Sequence, residues 1–517
     1  MDKGREVKEK KVRFLADEEV LYLVEQCLHG VDERRRLYEG YLRDYLNNRE
    51  QNMIYVFLNA VLSLIYYPDN VVFDIKGKYR FADAMAEELK TSFYRDGLDL
   101  WLYGVITLGL VLGSVIVKSV WRDGRVKHIL VMPHNFGVLY EDMDEIDSRS
   151  QVVCEVAYLP YREAVWKFGE DVVQAGKIEG DKGLINGEGL LGIVLTKAKQ
   201  AYLERPEITG EPNYEEILQP HTGDYVEVKE LWVYDYHLED WVVYQVIGSQ
   251  VVRRFRNPYY KGILPYSNFT ANDIPNYFWG RSEIYYLRNL QKKIDEYQRL
   301  FDESINLLKN PPILVNGQVA EEVADEIKQK LVTPGEIVPL PLVTGDIKPY
   351  ESRLSPDIVL QIFQSYKNLF METSGLSEIL LGSSLKNVRS ASHAQILANF
   401  ASAPLKQKAL RVEAFIERLM TTQAYYTMLN EPNLYDPDAD FIVEVYAHTS
   451  SPITMIAYQD ILFELTKAGL LPVDVLIDVL PIPQKDRIKQ YIAMKEMMAM
   501  QQAVQQQQQP QTKKEKK

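Results

Sequence analysis

The chain alternates between two hydrophobic rhythms. From Asp17 to Tyr67, apolar residues recur every three or four positions, the period of helices with one buried face. From Leu100 to Val117, LWLYGVITLGLVLGSVIV, eighteen residues pass without a charge. Gly104, Gly109 and Gly113 interrupt that run, and after Gly113 it turns β-branched. Arg122-Asp123-Gly124-Arg125 then reads as a hairpin turn and VKHILVMP as a second strand. The pattern predicts a buried helix running into a β-hairpin. A membrane span is the other reading, since eighteen residues meet the lower length limit. No second span and no Lys/Arg asymmetry supports an orientation for it.

Residues 111–170 read as β-rich, turning polar at the acidic stretch YEDMDEIDSRS, 140–150. Between 225 and 270 the alternation and the Tyr, Trp and Val content predict an antiparallel sheet. The helical period returns at Ser282. Ile284, Leu287, Leu290, Ile294, Tyr297, Phe301, Ile305 and Leu308 make one stripe, and Asn310-Pro311-Pro312 stops it. Residues 310–351 read as strand, short helix, strand. Ser355-Pro356-Asp357 opens a second long helix, with serine as cap, proline in the first turn and aspartate on the positive end of the dipole. It runs to Thr373 or Ser374, with Gly375 as a left-handed terminator. Two long helices thus flank a small α/β insert. A loop of small and polar residues follows over 375–391, then a long helical pattern that Pro404 should kink or split. Residues 431–450 give a turn and a strand, 451–500 are helical, and the end is a Gln/Lys-rich low-complexity tail.

Length and composition bound the class. At 517 residues, 46% hydrophobic and 26% charged, the chain is long enough for several globular domains. Those values exclude a disordered chain, a collagen and a coiled-coil rod. Two cysteines, Cys27 and Cys154, exclude a disulfide scaffold and a Cys-rich zinc site. The net charge of −14 argues against tight, general DNA binding, which needs cations to displace counterions. The start, MDKGREVKEKKVRF, has no apolar segment behind it and predicts no secretory leader.

A search for chemistry returns little. Seven histidines are scattered, with no two on one helix turn, so no His-based metal site is expected. Asp142, Asp144, Glu145 and Asp147 resemble a calcium loop, but Ile146 and Asp147 stand where a ligand and the turn glycine belong. Gly187, Gly189 and Gly192 match the spacing of a dinucleotide loop, with no βαβ series around them. Arg34-Arg35-Arg36 is either a solvated helix face or a protein or nucleic-acid contact. No pair of carboxylates stands in an apolar setting that would shift a pKa. Tyrosine, 34 residues against 17 Phe and 6 Trp, favours interfaces, where an apolar face and a polar tip both help. The sequence therefore points to an assembly role without catalysis, cofactor or metal.

The order of parts resembles the portal proteins of tailed bacteriophages. DGLDLWLYGVITLGLVLGSVIVKSVWRDGRVKHILVMPHNFGVLYED is similar to the portal wing, and NPYYKGILPYSNF to the family's Asn-Pro-Tyr segment. GRSEIYYLRNLQKKIDEYQRLFDESINLLKNPPILV resembles the first stem helix entering the clip, and TPGEIVPL a clip strand. FMETSGLSEILLGSSLKNVRSASHAQILANFAS resembles the second stem helix, the tunnel loop and the start of the long wing helix. The resemblance covers roughly residues 90–480.

It implies an α+β, mainly helical portal fold. Residues 1–280 would form the N-terminal region and wing, 281–309 and 352–374 the stem helices, and 310–351 the clip. Residues 375–391 would form the tunnel loop, 392–430 the long kinked wing helix, 431–500 the crown and 501–517 a tail. It further implies a ring, usually of twelve copies, at one capsid vertex, assembled in the host cytoplasm and kept in the virion. Double-stranded DNA would pass through its channel without being tightly bound, during packaging and again during ejection. The implied partners are the terminase large subunit, a head-completion or tail adaptor protein, and the major capsid and scaffolding proteins, with no membrane. In the tunnel loop, Ser383, Ser384, Lys386, Asn387 and Arg389 would approach DNA, although Lys386 and Arg389 also read as plain solvated charges. In the clip, Asn316, Glu321, Glu322, Lys328 and Lys330 would dock partners. A nucleotide-binding enzyme built on Gly187–Gly192, or another phage connector or minor head protein, is the competing reading.

Overall fold

The computed structural model describes residues 14–46, 51–68, 71–143, 145–173, 177–178, 225–260, 262–316, 336–340, 348–349, 356–375, 403–445 and 464–470, with a few positions between 326 and 333 and beyond 472. The fold mixes helix and strand, with helix in excess. Two compact units divide the chain: 1–62 with 104–404, and 63–103 with 405–517.

The first unit begins with α1 (Asp17–Cys27) and α2 (Val31–Leu46). α3 (Met53–Ile65) follows, then in the other unit β1 (Phe73–Lys78) and α4 (Ala82–Arg95). α5 (Leu98–Leu112) runs into β2 (Ser114–Arg122) and β3 (Arg125–Val131), the expected helix and hairpin. The turn between them puts Asp123 at φ 56° and Gly124 at φ 76°. Both are left-handed, as a two-residue turn matching strand twist requires. Among the described residues no helix is long and apolar enough to cross a membrane.

Gly113 makes the junction of α5 and β2 possible. Its φ is +96°, and a Cβ there would lie 2.5 Å from the Gly280 carbonyl oxygen and 2.6 Å from the Ser282 nitrogen. The close approach lets Ser282 Oγ donate to the Val111 carbonyl while accepting from the Ile284 nitrogen at 3.0 Å. One serine thus caps α8 (Glu283–Lys309) and ties it to α5.

β2 and β3 form a three-stranded sheet with β10 (Tyr266–Thr270). A second sheet orders β4 (Phe136–Val138), β5 (Val152–Pro160), β7 (Tyr225–Asp235), β8 (Asp240–Ile247) and β9 (Gln250–Arg256), with β6 (Lys177–Ile178) beside β7. α6 (Tyr161–Phe168) and α7 (Glu170–Val173) follow β5. The period of two sends alternate residues to opposite faces. Val153, Trp232 and Val243 join Phe136, Trp241 and Tyr266 in one core. Cys154, Leu231 and Tyr244 face the other way, against Val20, Val24 and Cys27 of α1. Both cysteines are free and buried, and burial pushes the Cys27 thiol up to about 12.

α8 spans 27 residues, and α9 (Pro356–Ser374) returns beside it. Between them β11 (Ile313–Asn316) pairs parallel to β12 (Ile337–Leu340) and antiparallel to β13 (Lys348–Pro349). Gly375, at φ +70°, follows the last residue of α9, as the sequence predicts.

In the second unit, β1 pairs with β14 (Asp440–Val445) over the register Phe73–Val445 to Lys78–Asp440. α10 (Ala403–Asn430) supplies Val412, Phe415, Ile416, Leu419 and Met420 to the core, and α4 supplies Met85, Leu89 and Phe93. The Tyr425 ring stacks on Phe441 at 4.4 Å, and its hydroxyl accepts from the Phe441 nitrogen at 3.0 Å. Pro404 lies in the first described turn of α10, and the helical pattern expected ahead of it, 392–402, lies outside the described residues.

Candidate functional site

The α8–α9 hairpin and its insert hold the sequence-derived positions that the structure describes. The buried residues of α8 end at Ile294, so the last four turns, 295–309, have no fully buried side chain. The returning helix α9 buries Val359, Phe363 and Phe370, the last against Phe57 of α3. Tyr297 of α8 stacks on Tyr366 of α9 with centroids 5.2 Å apart. Several large apolar side chains stay open on these helices and the insert: Leu308, Ile337, Ile358, Ile362 and Leu369. The charges between them cancel locally, as in the Lys293–Glu296 pair at 2.8 Å and the Arg299–Glu303 pair at 3.9 Å. This surface has little net charge and much apolar area, which suits contact with protein.

Asn316 closes β11, in register with Leu340. Lys330 stands on a short helical stretch and pairs with Glu326 at 3.1 Å, one turn away. Glu321, Glu322 and Lys328 lie outside the described residues, as do Ser383, Ser384, Lys386, Asn387 and Arg389 and the glycines 187, 189 and 192. Among the described residues no group of three His, Cys, Asp or Glu is placed to hold a metal ion.

The arginine run resolves into three situations. Arg34 turns inward: its Nη1 donates to Glu141 at 2.6 Å and its guanidinium lies 4.6 Å over the Trp279 ring. Trp279 Nε1 donates to the same carboxylate at 2.8 Å, which pins α2 to the body. Arg35 pairs with Glu39 on its own helix, and Arg36 is exposed. The solvated-face reading therefore fails for Arg34, whose partner is internal.

One cluster corrects the sequence reading outright. That reading finds no carboxylate pair in an apolar setting, yet Glu155 of β5 and Glu230 of β7 face each other across Lys118 of β2. The Lys118 Nζ donates to Glu155 at 2.6 Å and to Glu230 at 2.7 Å. Tyr266 Oη donates to Glu155 at 2.7 Å, and Trp232 Nε1 and Gln245 Nε2 donate to Glu230 at 2.8 and 3.2 Å. Side-chain exposures are 12% for Lys118, 8% for Glu155 and 15% for Glu230. Burial pulls the Lys118 pKa down, but the two carboxylates outweigh it and hold the ammonium well above the ordinary lysine range. Burial likewise pushes Glu230 up, and Lys118 with the donors from Trp232 and Gln245 brings it below the usual value. The residues come from three strands, so no local motif announces them. The one available signal is a lysine inside the apolar run SVIVKSVW.

The cluster lines a cleft of about 990 Å³ between the two sheets, also bordered by Arg253, Tyr259 and the exposed Trp166. One ammonium shared by two carboxylates, with hydrogen-bond donors on both, ties the sheets together. It presents no free base and no nucleophile. No family model matches this chain, and no curated protein does.

Proposed function

We propose that this chain is the subunit of a phage portal ring, with a structural rather than a catalytic role. α8 and α9 are the stem helices, residues 310–351 the clip, and the two sheets the wing. The feature that carries the reading is the long helical hairpin enclosing a small mixed sheet, with apolar side chains left open along its sides. An isolated chain gains nothing by exposing Ile358, Ile362 and Leu369 on one helix. A closed ring of copies covers such a surface by head-to-tail contacts. The near-neutral charge pattern of α8 also suits a conduit, because a wall with few unpaired cations lets DNA slide.

The mass of the purified protein in solution, followed by negative-stain imaging, tests this. The expected species is a ring with a central hole, near twelve times 59.8 kDa. A compact dimer that binds a nucleotide would overturn the reading and direct attention to Gly187–Gly192.

A further inference from the structure

We propose that the groove between α2 and α8 is a docking site for an acidic peptide segment of a partner protein, one that carries an apolar side chain among its carboxylates. The proposal is independent of ring formation. The groove holds about 630 Å³ and is walled by Leu37 and Tyr41 of α2 and by Tyr285, Tyr286, Arg288 and Lys292 of α8. Three of its side chains, Leu37, Tyr285 and Tyr286, are each close to half exposed, at 45%, 47% and 46%. Adjacent open aromatic and aliphatic groups of this size mark a binding surface more often than a solvated one.

Charge selects the occupant. Among the described residues no carboxylate lines the groove, while Arg288 and Lys292 do. Asp44 reaches Arg288 from the α2 side at 3.2 Å, which leaves Lys292 as the exposed cation on the outer rim. Arg281 adds a third cation, 4.8 Å over the Tyr285 ring. This positive rim sits on a chain whose net charge is −14, so the segregation is local. It calls for an anionic partner.

The walls decide which anion. A bare phosphate would leave Leu37 and the tyrosine faces in water. A nucleic-acid strand would need open ring faces for stacking and a longer run of cations. Here Tyr285 and Tyr286 stand at 90° to each other, and Arg281 covers one face of Tyr285. A peptide with carboxylates on either side of a leucine or phenylalanine uses both the apolar walls and the cations. Tyrosine and arginine are also the side chains that most often dominate such contacts.

The test uses the full chain and fluorescence anisotropy with a labelled peptide in which glutamates flank Leu-Phe. A lysine-for-glutamate version and a single-stranded oligothymidine serve as comparisons. The glutamate peptide is expected to bind, and the lysine peptide is not. Tyr286→Ala and Lys292→Glu, both on exposed positions, should each weaken binding about tenfold or more while leaving the melting temperature unchanged. The proposal is overturned by no binding of the glutamate peptide, by equal binding of the lysine peptide, or by binding that neither variant moves. Tighter binding of the oligothymidine overturns it in favour of nucleic acid. A change in solution mass caused by both variants, without peptide binding, overturns it in favour of a second copy of this chain.

Discussion

Tyr297 of α8 and Tyr366 of α9 lie in a stacked pair, with ring centroids 5.2 Å apart and planes 20° from parallel. Tyr297 is twelve residues from the end of α8 and Tyr366 ten from the start of α9, so the contact fixes the antiparallel register of the hairpin. Beyond Ile294 no buried residue of α8 does so. An aromatic pair of this kind contributes about 0.5–1.5 kcal/mol beyond its area. Tyr297→Ala and Tyr366→Ala, measured singly and together by urea unfolding, should show a coupling of about that size. Additive losses would mean that the rings meet without holding the helices.

Lys118 is the only cation hydrogen-bonded to Glu155 and Glu230 among the described residues. Lys118→Met leaves two buried carboxylates facing each other and should cost about 3–5 kcal/mol. Adding Glu155→Gln and Glu230→Gln removes the stranded charge and should recover most of that loss. The pH signs follow from the shifts. Glu230 is held below its ordinary value, so its contribution is full above about 4.5 and disappears as pH falls through its folded pKa. Lys118 is held above its ordinary value, so its contribution is full below about 10.5 and disappears as pH rises through its folded pKa. The urea midpoint of wild type should be flat, as far as this cluster is concerned, between those limits.

His134 gives a separate acid response. Among the described residues, neither of its buried ring nitrogens has a hydrogen-bond partner. Burial, and secondarily Arg35, lowers its pKa from 6.5 to about 4. A histidine depressed in the fold stabilises it fully above the unfolded pKa, and that contribution is lost as pH falls through this window. A shift of this size corresponds to about 3 kcal/mol at its limit. Thermal melts of wild type should drop between pH 6.5 and 4, while His134→Leu should match wild type at pH 7 and drop less. Parallel curves for the two proteins would exclude His134 as the source.

Gly113 and Gly124 both have left-handed φ angles, +96° and +76°, but differ in what surrounds them. A Cβ at Gly124 meets nothing within 4 Å, whereas at Gly113 it meets the backbone of Gly280, Arg281 and Ser282. Gly124→Ala should therefore cost about 1 kcal/mol, the conformational term alone. Gly113→Ala adds overpacking and displaces the start of α8, for a loss of about 3 kcal/mol or more. Soluble yield and urea midpoints of the pair separate the two effects.

What could be read from the sequence was what lies close along the chain. Asp123-Gly124 as a turn, Gly375 as a terminator and the Ile284-to-Leu308 stripe are all local signals; the fold uses the first two, and it buries the stripe only as far as Ile294. The unread parts depend on partners far away. FDIKGK is too short and polar to announce a strand, and it becomes β1 only because DFIVEV, more than 360 residues later, pairs with it. The unit joining 63–103 to 405–517 is invisible for the same reason. Lys118, Glu155 and Glu230 look like unrelated residues until three strands bring them together. Of the candidate site, Asn316 and Lys330 can be located, and Lys330 is occupied by Glu326.

Ile358 and Ile362 offer the sharpest test of the proposed ring. They stand one turn apart on α9, at 52% and 36% exposure. Residues four apart share a helix face, so together they make one apolar strip. In a lone chain, glutamate at Ile358 meets water, and at Ile362, about a third exposed, it gives up only part of its packing. Ile358→Glu with Ile362→Glu should therefore leave the thermal melt near wild type, with a loss of about 1 kcal/mol for the pair. In a ring, the same pair buries charge against a neighbouring copy, which is severely unfavourable without a partner cation. Light scattering should then report single chains of 59.8 kDa in place of the ring. Ile358→Leu with Ile362→Leu should keep the ring, because apolar area is conserved. A charged variant that still assembles would place the subunit contact elsewhere on the hairpin.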